Sequence, residues 1–144
     1  MDRKIITKNS LETTSLGSKF AAELKSGDVV LLFGNLGAGK TTFVQGLAKG
    51  LKITDRILSP TFILQRSHSI NTGKIKNLNH IDLYRIENST EIESLGLSEI
   101  IEEENSIAVI EWADRLSDFK PKIGYRIWFQ YLDENKREIT VSKI

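Results

Sequence analysis

An α/β fold is predicted for this chain: one domain spanning 1–144, with a mixed but mostly parallel sheet flanked by helices and an antiparallel hairpin at the C-terminal end. Three features carry the prediction. Asp28 to Phe33 reads Asp-Val-Val-Leu-Leu-Phe, a short apolar run between Gly27 and Gly34, the pattern of a strand buried on both faces of a parallel sheet. Ser106 to Ile110, Ser-Ile-Ala-Val-Ile, repeats that pattern. Helical spacing fills much of the chain before each run, and Tyr125, Ile127, Phe129 and Tyr131 alternate as the outward and inward faces of a strand do. With 144 residues there is enough chain for one sizeable core and too little for two comfortable ones.

Taken in order, Lys4 to Lys8 predicts a short first strand. Ser10 then stands as a helix N-cap before Leu11, Leu16, Phe20, Ala21 and Leu24, and Gly27 closes that helix. After the first buried run and a glycine-rich loop, Phe43, Val44, Leu47, Ala48 and Leu51 form an apolar helical stripe that ends near Gly50. The polar stretch from Ser59 to Ile86 predicts two extended segments, Thr61 to Gln65 and Lys76 to Leu83, joined by a turn near Asn71 to Gly73. Glu91 to Glu104 has helical spacing interrupted by Gly96, so one broken helix or two short ones both fit. Beyond the second buried run, the alternating residues from Tyr125 and then Ile139, Val141 and Lys143 predict a hairpin at the sheet edge, turning at Asp133-Glu134-Asn135-Lys136.

Composition narrows the function. The apolar fraction of 40% and charged fraction of 27% are those of a soluble globular protein. Twenty basic and nineteen acidic side chains leave a net charge of +1, no footprint for stand-alone nucleic-acid binding. The absence of cysteine excludes a disulfide framework, a thiolate zinc site and a cysteine nucleophile. The N-terminal apolar stretch, Ile5-Ile6, is too short for a signal peptide, and a cytoplasmic location is expected.

The strongest chemical signal is Gly34-Asn35-Leu36-Gly37-Ala38-Gly39-Lys40-Thr41, which satisfies G-x-x-x-x-G-K-[ST] between a predicted strand and a predicted helix. This is the phosphate loop of the P-loop nucleoside triphosphatases. Glycines let successive backbone N–H groups turn toward phosphate oxygens where side chains would block the approach. Lys40 supplies a cation for the β- and γ-phosphates, Thr41 a hydroxyl for magnesium, and the helix that begins there directs its positive end at the anion. ATP and Mg2+ are the expected ligands, with Leu36, Gly37, Ala38, Gly39, Lys40, Thr41 and Thr42 around the phosphates.

A triphosphate site also needs a carboxylate at the carboxyl end of a second buried strand, and Glu111 follows Ile107 to Ile110. It has three possible roles: holding the metal directly, holding it through water, or polarising the attacking water. Asp82 in Asn79-His80-Ile81-Asp82 is a second candidate, although His-x-Asp spacing by itself more often marks a solvated loop. Ser59-Pro60-Thr61 is a stiffened turn able to present Thr61 to a γ-phosphate. Arg56, Arg85 and Arg115 are possible phosphate-facing cations. Asn135-Lys136-Arg137-Glu138 imitates a guanine-reading Asn-Lys-x-Asp, but it ends in Glu and lies in a hairpin turn, which disfavours GTP.

Together these segments resemble the bacterial TsaE (YjeE) family, the ATPases of tRNA threonylcarbamoyladenosine synthesis, over nearly the whole chain. The resemblance runs through Ser10-x-x-Thr13-x-x-x-Gly17, the phosphate loop with Thr42-Phe43, Ser59-Pro60-Thr61-Phe62, His80-Ile81-Asp82-Leu83-Tyr84-Arg85, Ile110-Glu111-Trp112 and the Arg137-Glu138 hairpin. It implies an ATPase that is weak alone and acts with TsaB and TsaD, resetting their complex between rounds; direct contact with tRNA is left open, and an indirect or transient one is possible. By the same resemblance Thr41, Glu111 and Asp82 serve the metal, and Lys40, Thr61, Asp82 and Glu111 serve catalysis. Ser10, Thr13, Lys136 and Arg137 border the base and ribose. The family commonly has an acidic residue at Asn35 and an aromatic one near His68, and this chain departs from it at both. Two rival readings use the same loop. A small-molecule kinase would need an arginine-rich lid, which the sequence between Gly50 and the tail lacks, and an ATP-binding assembly factor would hydrolyse only incidentally.

Overall fold

Parallel pairing of β2 (Val29–Phe33) with β5 (Ser106–Glu111) forms the axis of the computed structural model, which describes residues 2–35, 37–54, 65–70, 73–84, 96–116 and 121–144. The other elements are β1 (Arg3–Thr7), α1 (Ser10–Phe20), α2 (Lys40–Gly50), β3 (Gln65–Ser69), β4 (Asn77–Asp82), α3 (Leu97–Glu102), β6 (Gly124–Tyr131) and β7 (Arg137–Lys143), with 3-10 turns at Ala21–Glu23 and Ala113–Arg115. They build a seven-stranded sheet ordered β1-β7-β6-β2-β5-β4-β3. β6, β2, β5 and β4 are mutually parallel, while β7 and β3 run against their neighbours. The expected mixed, mostly parallel sheet is therefore present.

Both apolar runs are buried on both faces. Val30 and Leu32 of β2, with Ile107 and Val109 of β5, meet Phe43, Val44 and Leu47 of α2. Val29, Leu31, Ala108 and Ile110 turn the other way, toward Leu97 of α3 and Ala113. Phe43 contributes twice, its ring centroid lying 5.7 Å from Phe20 of α1 and 5.4 Å from Phe129 of β6. Among the described residues, no helix is long and apolar enough to cross a membrane.

Several local expectations shift. The N-cap of α1 is Asn9, whose side chain accepts from the Glu12 N–H at 2.8 Å; Ser10 is already helical. An amide oxygen two bonds from Cβ competes well with a serine hydroxyl for this role. Nor does Gly27 close the helix, which tightens into the 3-10 turn at Ala21–Glu23. Gly27 sits instead at φ 91 in the turn entering β2. The C-terminal hairpin forms as β6 and β7 but is not the sheet edge, because β1 pairs along β7 from Arg3↔Val141 to Thr7↔Arg137. The inward alternation holds for Tyr125, Ile127, Phe129, Ile139 and Val141, while Tyr131 and Lys143 are exposed. The first extended segment is described only at Gln65–Ser69, and residues 61–64 of the expected span fall outside the described residues. The helical pattern of Glu91 to Glu104 is described only from Gly96, which takes φ 69 at the N-cap of α3.

The contact between α1 and α2 depends on glycine for proximity. A Cβ on Gly46 would stand 1.9 Å from the Thr14 carbonyl oxygen, and one on Gly17 would stand 2.2 Å from that of Phe43. Backbone thus meets backbone, and neither side can give way cheaply. Helix propensity alone would make Gly46→Ala stabilising by about 1 kcal/mol. The overlap should reverse the sign, with a net loss of about 3 kcal/mol, as for severe overpacking. Urea unfolding of Gly46→Ala checks this; a midpoint at or above that of the parent would show that the helices can separate freely.

Candidate functional site

The phosphate loop leaves the carboxyl end of β2 and feeds α2, as the sequence predicts. Gly34 cannot carry a side chain there: its φ is 141, and a Cβ would lie 2.6 Å from the Phe129 carbonyl oxygen. Gly39, at φ 102, is the N-cap of α2 and offers no side chain to occupy the first-turn N–H groups. The helix therefore presents open donors and its positive end to the loop, the arrangement that favours an anion. Lys40, Thr41 and Thr42 form the first helical turn, with Ala38 buried behind them.

The sheet brings the carboxylates to this loop. Register pairs Leu32 with Glu111, and Glu111 with Asp82, so the two carboxylates stand side by side at the ends of β5 and β4. The same pairing turns both toward the α2 face, since they share the faces of Val109 and Leu78. Thr41 Oγ1 donates to Glu111 Oε1 at 3.3 Å, and His80 Nε2 meets Glu111 Oε2 at 2.5 Å. Asp82 Oδ1 accepts from the Tyr84 N–H at 2.9 Å. His80 is fully buried, and Asp82 and Glu111 nearly so. His80 and Asp82 lie on β4, within the extended segment expected over Lys76 to Leu83, and are buried there rather than solvated as His-x-Asp spacing by itself suggests.

Lys40 is only 5% exposed. Its ammonium donates to the Gly34 carbonyl and lies 3.7 Å from the centroid of the Trp112 ring, so loop backbone and an aromatic face hold the charge. Burial pushes its pKa below the ordinary 10.5, against the opposing pull of Glu111, Asp82 and Asp114. Trp112 itself takes φ 59, an uncommon conformation for a bulky residue, just where β5 ends. Its ring also packs on Tyr84, centroids 5.0 Å apart, and the Arg115 guanidinium lies 5.9 Å from it.

Two cavities open at this end of the sheet. One, of about 280 Å³, is walled by Gly37, Gly39, Lys40, Thr41, Asp82 and Glu111, with Thr42, Tyr84, Trp112 and Arg137 completing it. The other, of about 190 Å³, is lined by Asn9, Ser10, Thr13 and Glu134, with Asn135, Gly39, Thr42 and Arg137. They share Gly39, Thr42 and Arg137. The first has the cation, the loop and the carboxylates, and the second the polar side chains of α1 and the hairpin turn. Thr13 is buried and hydrogen-bonds Thr7 through their hydroxyls at 2.7 Å. Arg137 is held by the carbonyls of Asp133 at 2.7 Å and Lys136 at 3.0 Å, and its guanidinium lies 4.6 Å from the Tyr131 ring centroid. Lys136 is exposed in the turn, and the turn residues that line the second cavity are Glu134 and Asn135. Two backbone N–H bonds, from Lys136 and Asn135, hold the Asp133 carboxyl below its usual range and fix the turn.

The structure thus gathers Lys40, Thr41, Thr42, Gly37, Gly39, Asp82, Glu111, Ser10, Thr13 and Arg137 around two cavities with shared lining. Leu36, Thr61, Arg56 and Arg85 lie outside the described residues. Sequence reasoning assigned no site role to Tyr84, Trp112, Asn9 or Glu134, and weighed Asn135 only within the disfavoured guanine-reading pattern. The signal for the first two was adjacency to a candidate carboxylate, in Asp82-Leu83-Tyr84 and Glu111-Trp112. Among the described residues no group of three or more His, Cys, Asp or Glu side chains is arranged to hold a metal by itself. Thr41, Glu111 and Asp82 offer oxygen donors in one cavity wall, which fits a small hard cation that also takes phosphate oxygens and water.

A family model described as threonylcarbamoyl adenosine biosynthesis protein TsaE matches residues 7–139. The chain belongs to the TsaE family. A tRNA threonylcarbamoyladenosine biosynthesis protein TsaE from a Nostoc species is 42% identical over 142 residues, covering 96% of this chain and 85% of the relative. The TsaE of Bacillus subtilis is 38% identical over 138 residues, covering 96% and 84%. The crystal structure of Bacillus subtilis YdiB superposes with a TM-score of 0.81 at 33% identity, covering 100% of this chain and 86% of that one. Membership places the chain in a family named for threonylcarbamoyladenosine biosynthesis.

The lowered Lys40 pKa predicts that binding of a phosphate ligand at this loop depends on pH. Phosphate stabilises the ammonium that burial disfavours, so the liganded form holds the proton more tightly than the free form. ATP or ADP affinity should then be level below the lowered, unliganded pKa and fall as pH rises through it, by up to about tenfold per pH unit for one proton, until the liganded pKa is reached. Titration calorimetry across alkaline pH measures the slope. Lys40→Arg should bind with that slope removed; an unchanged slope would assign it to another group.

Proposed function

We propose that this TsaE family member is a weak, partner-stimulated ATPase whose hydrolysis resets a TsaB–TsaD complex during tRNA threonylcarbamoyladenosine formation. The observation that carries the reading is the contact of Thr41 Oγ1 with Glu111 Oε1 at 3.3 Å, beside Lys40 and in the same cavity wall as Asp82. A cation on the loop, a hydroxyl on the first helical turn and a carboxylate on the neighbouring strand are the set that a nucleoside triphosphate requires. The second cavity then receives the nucleoside, with Ser10, Thr13 and Arg137 at its border. Magnesium, when bound, supplies positive charge to the β- and γ-phosphate oxygens.

In this reading Lys40 exchanges the Gly34 carbonyl for a phosphate oxygen, and the loop N–H groups and helix terminus hold the developing charge. Thr41 and Glu111 hold the metal side of the site. Attack on the γ-phosphate is in line and by water, ordered by Asp82 and Thr61 once a partner docks. Glu111 has Thr41 on one oxygen and His80 on the other, which suits a positioning carboxylate better than a proton acceptor. Slow turnover in isolation follows, because the attacking water lacks a committed base. Contact with tRNA is transient or indirect in this scheme.

Phosphate release in the absence of any acceptor, rising on addition of TsaB and TsaD, is the expected result. Lys40→Ala should lower that turnover by roughly 100-fold or more, the scale of losing a principal charge-stabilising group. Glu111→Gln should still bind ATP yet fail to support repeated rounds of tRNA modification. Intact multi-turnover modification by Glu111→Gln would leave only an ATP-binding assembly factor, and efficient transfer to a metabolite would make the protein a kinase.

A further inference from the structure

His80 has no place in the reaction as described, although among the described residues it makes the shortest contact with Glu111. It sits on β4 two residues before Asp82, on the same face, and is fully buried. Its Nε2 lies 2.5 Å from Glu111 Oε2, while Glu111 Oε1 takes the Thr41 hydroxyl at 3.3 Å. The two carboxylate oxygens are thus divided between the sheet floor and the loop. The other ring nitrogen, Nδ1, is buried without a hydrogen-bond partner among the described residues. A buried N–H is costlier to leave unpaired than a bare ring nitrogen, so the hydrogen belongs on Nε2, donated to the carboxylate.

Replacing His80 by an apolar residue would spare the protein that orphaned Nδ1. A histidine in the core at such a position is therefore poorly explained by packing alone. What the ring provides is a fixed direction for Glu111. With Oε2 held by the floor, the carboxylate offers a cation a single oxygen.

We propose that His80 is a positioning residue that restricts Glu111 to one-oxygen coordination and so makes the site prefer magnesium to calcium. The inference rests on the nucleotide-site reading above. Magnesium demands near-octahedral geometry and takes carboxylates through one oxygen. Calcium tolerates irregular shells and gains from a two-oxygen carboxylate. A Glu111 free to rotate would serve both ions, whereas one anchored by His80 serves the smaller.

The test compares the parent with His80→Leu and His80→Gln, the latter able to place a side-chain N–H near the position of Nε2. Binding of a fluorescent ATP analogue is measured as a function of magnesium and, separately, of calcium, and kcat and KM for ATP are measured in magnesium. His80→Leu should need about tenfold or more magnesium for half-maximal enhancement of binding, the usual scale for losing a group that orients a metal ligand. Its calcium requirement should change far less. Turnover should fall through kcat with KM for ATP within about twofold, and His80→Gln should recover most of the magnesium dependence. In a Glu111→Gln background, His80→Leu should add no further metal effect.

Equal magnesium and calcium dependence in parent and His80→Leu would overturn the inference, as would an additive effect beside Glu111→Gln. Should His80→Leu fail to fold, His80→Gln decides with the same titrations against His80→Asn, whose shorter amide cannot reach Glu111. Only His80→Asn should lose the magnesium preference, and identical behaviour of the two would overturn the inference. A parent whose nucleotide binding ignores divalent cations altogether would sink the nucleotide-site reading instead, which keeps the two failures apart.

Discussion

The register of β5 between β2 and β4 is the constraint on which the site depends. Leu32, Glu111 and Asp82 share one level across three parallel strands. A slip of one residue along β5 would turn Glu111 to the α3 face and bring an apolar neighbour toward Thr41. The core prevents that slip. Ile107 and Val109 fill one layer while Ala108 and Ile110 fill the other, and the two layers meet different helices. The small side chain of Ala108 and the bulk of Ile107 are not interchangeable in those layers, so the Thr41–Glu111 distance is set by apolar packing well away from the loop. The α1–α2 contact through Gly17 and Gly46 performs the same service from above, fixing the depth at which α2 and therefore Thr41 sit.

Electrostatics complete what packing positions. Lys40 is buried among Glu111, Asp82 and Asp114, and its lowered pKa shows that desolvation outweighs their attraction. The opposing signs are informative: with the carboxylates alone the lysine would be tightened rather than loosened. The cost of burying that charge in the free protein is fully present below the lowered pKa and is relieved as pH rises toward 10.5. A polyanion in the cavity would relieve it at neutral pH. Part of the stability forgone by the folded loop is thus available to an anion that takes the place of the Gly34 carbonyl at Lys40.

How much of this was legible in the sequence depended on whether the cause was local. The phosphate loop was legible because its residue types follow from backbone geometry within eight positions, Gly34 to Thr41. Glu111 was legible because a buried apolar run has a visible end. Strand order was not, since nothing in β1 announces that it will pair with β7 from the far end of the chain, and that pairing displaced the hairpin from the edge. His80 was misread for a related reason. The strand expected over Lys76 to Leu83 is present as β4, but it carries Asn79, His80 and Asp82 in its buried interior, and polar residues in a strand look solvated until their partners are known. Asn79 pairs with Ser67 and Glu103, and His80 with Glu111, from segments 12 to 31 residues away. The N-cap was misassigned by a single position because Asn9 and Ser10 are both good caps, and only the helix phase distinguishes them.

The two cavities with shared lining also explain why one family pattern spans the chain from end to end. Ser10 and Thr13 come from α1, the phosphate loop from the turn after β2, Asp82 from β4, Glu111 from β5, and Arg137 from β7. Arg137 lines both cavities, next to Gly39, and its backbone pairs with Thr7, whose hydroxyl holds Thr13. The second cavity is thereby linked to the sheet through β1 and β7, and the first through β2, β5 and β4. The antiparallel strands, which read in the sequence as an appendage to a parallel sheet, are what bring the N-terminal helix and the C-terminal turn to the same end of the sheet as the phosphate loop. A fold reduced to its parallel core would retain the loop from Gly34 to Thr41 and lose most of the wall of the second cavity.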